Sequence, residues 1–179
     1  LVIVPSLPKE KHFLFIVEPE ESQRINALVR IVEHKKALVF VNSRSVAEKL
    51  MKAGAGRIDN LHIHHSSLAP AIRKSSEEAF SSPGGACIIC TSTLELGIDI
   101  GDLDVVVQVG PPNSVSSFLQ RMGRSGRRGK PAYVAWVLQN ACELLCSVAI
   151  IECAIQKEVE DLVPPKKPYN VLLQQIFLY

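Results

Sequence analysis

The sequence predicts an α/β domain, a mostly parallel central sheet with helices on both faces, followed by a short C-terminal helical linker. Three observations lead there. Short β-branched apolar runs alternate with segments of helical period up to about residue 160. Most of those runs are continuously apolar, the pattern of strands covered from both sides. The 179 residues, 47% hydrophobic and 21% charged, suit one globular domain with a small appendage. A chain of that size buries roughly 70% of its unfolded surface and needs neither a disulfide nor a structural metal to fold.

Each element has its own signal. Six runs read as strands: 13–17, 37–41, 61–64, 86–90, 105–109 and 132–138. Ile25, Leu28, Val29 and Val32 recur at i, i+3, i+4 and i+7, and Val115, Phe118, Leu119 and Met122 do the same, giving two amphipathic helices. Another helix is expected to open at Ser45, where Glu48 completes an S-x-x-E capping box, and to stop near Gly54 and Gly56. Pro70 suits the first turn of a helix that runs to Phe80 and is broken by Ser81-Ser82-Pro83-Gly84-Gly85. A long helix is expected over 141–161, then a Pro- and Lys-rich linker over 163–168, then the start of a helix over 169–179. Residues 1–162 thus read as the domain, and 163–179 as a linker and the start of a truncated following domain.

Twenty basic against eighteen acidic residues leave a net charge of +2, too small to argue for nucleic acid from bulk electrostatics. The distribution says more. No Asp or Glu falls between Asp104 and Glu143, while Arg121, Arg124, Arg127, Arg128 and Lys130 crowd into ten residues, so a cationic patch is expected there. No apolar run approaches the roughly 20 residues of a membrane-spanning helix, so no membrane partner is expected. The five cysteines are expected as reduced, buried thiols of a cytoplasmic protein. The opening Leu-Val-Ile-Val-Pro-Ser has neither Met nor a charged leader, and reads as a cut boundary of something larger.

In a parallel sheet, ligands bind outside the carboxyl ends of the strands, which directs attention to the loops beginning at Asn42, His65, Thr91, Gly110 and Gln139. The strongest chemical signal is Gln120-Arg-Met-Gly-Arg-Ser-Gly-Arg-Arg-Gly129. On a helical backbone Arg124 and Arg127 would share a face, and Gly123 and Gly126 would let a polyanion approach. Guanidinium groups suit phosphate because their planar fork forms charge-assisted bidentate bonds and keeps its proton. A basic run alone is more often a solvated turn, and Asp99 alone would more often cap a turn. Cys87 and Cys90 have CxxC spacing, but within a strand they face opposite sides of the sheet, so no zinc site is expected. His62 and His64 share a strand face without further ligands, and Trp136 reads as core.

Three segments together alter that weighing. Residues 37–44, 91–100 and 120–129, in that order and spacing, resemble motifs IV, V and VI of the second RecA-like motor domain of superfamily 2 helicases. His65-Ser-Ser-Leu68 with Arg73, Leu94 to Asp104, Gln108-Val-Gly-Pro-Pro112 and Pro168 to Gln175 resemble the large helicase-related (Lhr) family. The resemblance implies a RecA-like three-layer fold. It implies that Arg124 and Arg127 are arginine fingers for ATP, that Asp99 approaches the nucleotide on a turn made by Gly97, and that Gln120 lies on the nucleotide side. Asn42, Ser43, Arg44, Ser67, Arg73, Thr91 and Ser92 would form a nucleic-acid track. The sequence contains no G-x-x-x-x-G-K-[ST] and no Asp-Glu pair resembling a Mg²⁺ box. ATP with Mg²⁺ would therefore be bound mainly by a first RecA-like domain of the same polypeptide, and this chain alone should hydrolyse none. Gln120 and Leu96 stand where many DEAD-box RNA helicases have His and Arg, which favours DNA as the partner over RNA. The alternatives are an RNA helicase domain and a non-catalytic binding scaffold on the same fold; an adjoining P-loop domain in the coding sequence separates motor from scaffold.

Overall fold

The computed structural model describes residues 10–81, 85–95, 103–126, 131–161 and 169–178. Chain order is β1 (Lys11–Val17), α1 (Glu21–Val32), β2 (Ala37–Val41), α2 (Arg44–Gly54), β3 (Leu61–His64), α3 (Pro70–Ser81), β4 (Cys87–Cys90), a 3₁₀ turn (Ser92–Leu94), β5 (Val105–Val109), α4 (Val115–Met122), β6 (Ala132–Leu138), α5 (Ala141–Gln156) and α6 (Tyr169–Leu178). The six strands form one sheet in the order β1-β6-β5-β2-β4-β3, every pairing parallel.

Strand alternation divides the core in two. Val39, Val41, Cys87, Ile89, Val107, Ala135 and Val137 face Leu28, Ile31 and Val32 of α1 and Ala47 of α2. Leu38, Phe40, Ile88, Cys90, Val106, Val134, Trp136 and Leu138 face Phe80 of α3 and Phe118 of α4, with Leu144, Ile150 and Ile151 of α5 packed against them. Burying a side chain of this kind stabilises the fold by about 1.5–3 kcal/mol each. Trp136 is the core residue the sequence predicts: it is fully buried, stacked on Phe15 with ring centroids 4.7 Å apart. Cys87 and Cys90 lie in opposite core layers, as strand geometry requires.

Several expectations are corrected. Helix α2 is capped by Ser43, not Ser45: Arg44 is already helical, so the extended residue just ahead of it supplies the oxygen, accepting from the Val46 N–H at 3.2 Å. Helix α5 ends at Gln156 because Lys157 turns left-handed (φ 62°), its N–H reaching Ala154 O and Cys153 O. The freed segment folds back, and the Glu160 carboxylate accepts from the N–H groups of Val115 (2.6 Å) and Ser116 (3.0 Å) at the start of α4. Cys142 and Cys146 are exposed and Cys153 half-exposed, on the stripe of α5 turned from the sheet, so only Cys87 and Cys90 are buried thiols. Burial pushes the Cys87 thiol up to about 12 and Cys90 well above its ordinary value.

Candidate functional site

β4 and β5 flank β2, so the chain crosses over the middle of the sheet between them. The register pairs Phe40 with both Cys90 and Gln108, which brings the carboxyl ends of the three strands level. The 3₁₀ turn after β4 ends at Glu95, whose N–H bonds Ser92 O at 3.1 Å.

Glu95 is buried and meets two arginines. Its Oε1 accepts from Arg121 Nε at 2.8 Å, and its Oε2 accepts from the Ser117 hydroxyl at 3.3 Å. Its backbone carbonyl accepts from Arg124 Nε at 3.2 Å and Nη2 at 2.6 Å. Arg121, 2% exposed, also donates from Nη1 to Gln108 Oε1 at 2.9 Å, and its guanidinium lies 5.1 Å from the Phe40 ring centroid. A buried charge of this kind persists only when paired and hydrogen-bonded.

This geometry revises the expected cationic patch. Arg121 and Arg124 are turned into the molecule, and Arg127, Arg128 and Lys130 lie outside the described residues, as do Gly97 and Asp99. Helix α4 stops at Met122, so Arg124 sits on a turn and has no helical face to share. Gly126, at φ +71°, has an internal reason to be glycine: a Cβ there would lie 2.8 Å from Ala132 Cβ, where the chain re-enters the sheet. At Gly123, in the right-handed helical region, a Cβ would come 3.2 Å from Leu119 O, a tight approach that a small shift relieves. Gln120 is half-buried on α4.

The candidate track residues gather at the ends of β2, β3 and β4. Asn42 donates from Nδ2 to Pro111 O at 2.7 Å, tying the end of β2 to the loop after β5. Arg44 donates from Nη1 to the Ser67 hydroxyl, joining the loops after β2 and β3. Ser43 is exposed and serves α2 as its cap. Arg73 on α3 is half-buried, with Nε lacking a partner among the described residues. Thr91 is half-buried, its N–H on His64 O at 3.3 Å, and Ser92 is exposed.

Sequence reasoning missed four residues. Gln108 is a polar residue inside an apolar strand, a signal that a partner waits for it. Glu95 stands between Leu94 and Leu96, which is a similar signal. Thr93 and Glu77 hold the buried His64, with Nδ1 2.8 Å from Thr93 Oγ1 and Nε2 3.1 Å from Glu77 Oε1. Among the described residues no three His, Cys, Asp or Glu side chains group as metal ligands, and no helix is long and apolar enough to cross a membrane.

Residues 22–129 match the helicase conserved C-terminal domain family. The chain is 32% identical over 182 residues to the Lhr helicase/uracil glycosylase of Escherichia coli (strain K12), covering 83% of this chain and 12% of that protein. It is 32% identical over 164 residues to the ATP-dependent helicase Lhr-Core protein 2 of Thermococcus barophilus, covering 86% and 18% respectively. The structure of Mycobacterium smegmatis helicase Lhr bound to ssDNA and AMP-PNP is similar with a TM-score of 0.74 and 27% identity, covering 96% of this chain and 25% of that one. A DEAD box protein from the hyperthermophile Methanococcus jannaschii shares the fold, with a TM-score of 0.68 and 24% identity over 83% of this chain and 39% of its own. The chain spans 12% to 21% of the length of the curated relatives it matches.

Proposed function

The chain belongs to the helicase conserved C-terminal domain family, of the Lhr type, and from that premise we propose that it is the second motor domain of an ATP-dependent DNA translocase. Its relatives include the ATP-dependent Lhr-Core helicases. The observation that carries the reading is the bond between Arg124 and the Glu95 carbonyl, which ties the 120–129 segment to the 91–100 segment at the carboxyl edge of the sheet.

ATP with Mg²⁺, held mainly by a first RecA-like domain, supplies the phosphoryl group whose transfer drives the cycle. The residues here fit a share of such a site. Arg124 is a permanently charged fork lying against the Glu95 carbonyl, and a fork of that kind matches phosphate oxygens. Arg124 and Arg127 would stabilise charge on the transferring group, with Gln120, Gly97 and Asp99 shaping the nucleotide side. Asn42, Ser43, Arg44, Ser67, Arg73, Thr91 and Ser92 would grip one DNA strand by its phosphates; hydroxyls, N–H groups and guanidiniums at strand ends suit that task. The similar Mycobacterium smegmatis Lhr is bound to ssDNA and AMP-PNP, which supports a nucleotide and single-stranded DNA as the two ligands.

In the full-length protein, Arg124→Ala and Arg127→Ala are each expected to lower ATP turnover by about 10³ to 10⁵ while single-stranded DNA binding persists. Turnover that survives both substitutions removes the finger role.

A further inference from the structure

The two arginines on Glu95 are held by different chemistry. Arg121 meets the carboxylate (2.8 Å), whereas Arg124 meets the backbone carbonyl of the same residue through Nε and Nη2, a dipole that orients it. In a buried site an unoccupied carboxylate is a strong attractor for a guanidinium, and Arg124 is the neighbouring one. Arg121 fills that place. Gln108 on β5 and the Phe40 ring on β2 hold Arg121 in turn, and Ser117 holds the second carboxylate oxygen. The Glu95 carbonyl is thereby fixed at both ends, by the clamped side chain and by the 3₁₀ turn closed on Ser92 O.

We propose that Arg121 and Glu95 are positioning residues for Arg124: the buried pair fixes the carbonyl that aims the Arg124 guanidinium, and Arg121 keeps the Glu95 carboxylate from capturing it. The proposal rests on the reading of Arg124 as a finger. Neither Arg121 nor Glu95 need touch nucleotide, and a merely structural pair would leave no trace of Arg124 in its effects.

The test is ATP turnover of the full-length protein at saturating single-stranded DNA, with single-turnover assays for slow variants and thermal melts to verify folding. Arg121→Gln exposes the carboxylate and is expected to lower kcat by about a hundredfold, leaving KM for ATP within about twofold. Adding Glu95→Gln removes the captor, and the double variant is expected to regain about tenfold in kcat. In an Arg124→Ala background, Arg121→Gln is expected to change kcat by less than about twofold, since the effect runs through a group no longer present. If Arg121→Gln proves unfolded, Glu95→Gln alone serves: it keeps shape and carbonyl, and its loss of kcat must vanish in the Arg124→Ala background. Equal losses with and without Arg124, or a folded double variant no faster than Arg121→Gln, overturn the proposal while the finger reading stands. Full turnover by Arg124→Ala removes the finger reading and this proposal with it.

Discussion

At Glu95 a single carboxylate balances a guanidinium that is almost wholly out of water. Glu95→Ala strands that charge and is expected to lower the unfolding free energy by about 3–5 kcal/mol in urea titration. Gly126→Ala combines a left-handed backbone with a 2.8 Å clash against Ala132, and is expected to lose more than about 1 kcal/mol in the same measurement. Arg44, exposed and bonded to Ser67, belongs to the proposed track. Arg44→Ala is expected to weaken single-stranded DNA binding evenly across sequences and to reduce the slope of log K against log salt by about 0.7; an unchanged slope removes Arg44 from the track. A Gln within Val105–Val109 is a signal that the sequence reading passed over. The partners were not legible, because Glu95 and Arg121 stand 26 residues apart and only the fold joins them.

Helix α4 shows what an element adds. Its N-terminus carries two caps, Ser114 Oγ on the Ser117 N–H at 3.0 Å and Glu160 on Val115 and Ser116. Bonds from the backbone N–H groups of Val115, of Glu160 itself and of Ser116 hold the Glu160 carboxyl below its ordinary 4.5. A lowered folded-state value means that the stabilisation is fully present above 4.5 and is lost as pH falls through the folded value. Melting temperatures of the parent chain and Glu160→Gln should therefore differ near neutral pH and converge in acid below 4.5; a gap that stays constant with pH refutes the cap's titration. The heptad-like spacing of Val115, Phe118, Leu119 and Met122 made α4 legible, and the bounds of four strands were legible too. The caps were less so. Ser43 and Ser45 are both chemically able to cap α2, and only the backbone angle at Ser43 decides between them.

For the molecule as a whole, continuous apolar strands alternating with amphipathic helices were enough to give a parallel sheet with two covered faces. The strand order was not available, because periodicity says which runs are strands and nothing about which strands are neighbours. The proposed division of labour between two motor domains predicts that the 179-residue chain alone releases no phosphate from ATP above buffer, with or without DNA. Helix α6 presents Leu172, Leu173, Ile176 and Phe177 to solvent, the last 81% exposed. The turn that returns Glu160 to α4 has a mechanical corollary. One end of that eight-residue helix is tethered to the strand of chain that continues past Asp161, and the other end holds Arg121. A pull on that segment at Glu160 would thus act on a helix about 12 Å long whose far end carries Arg121.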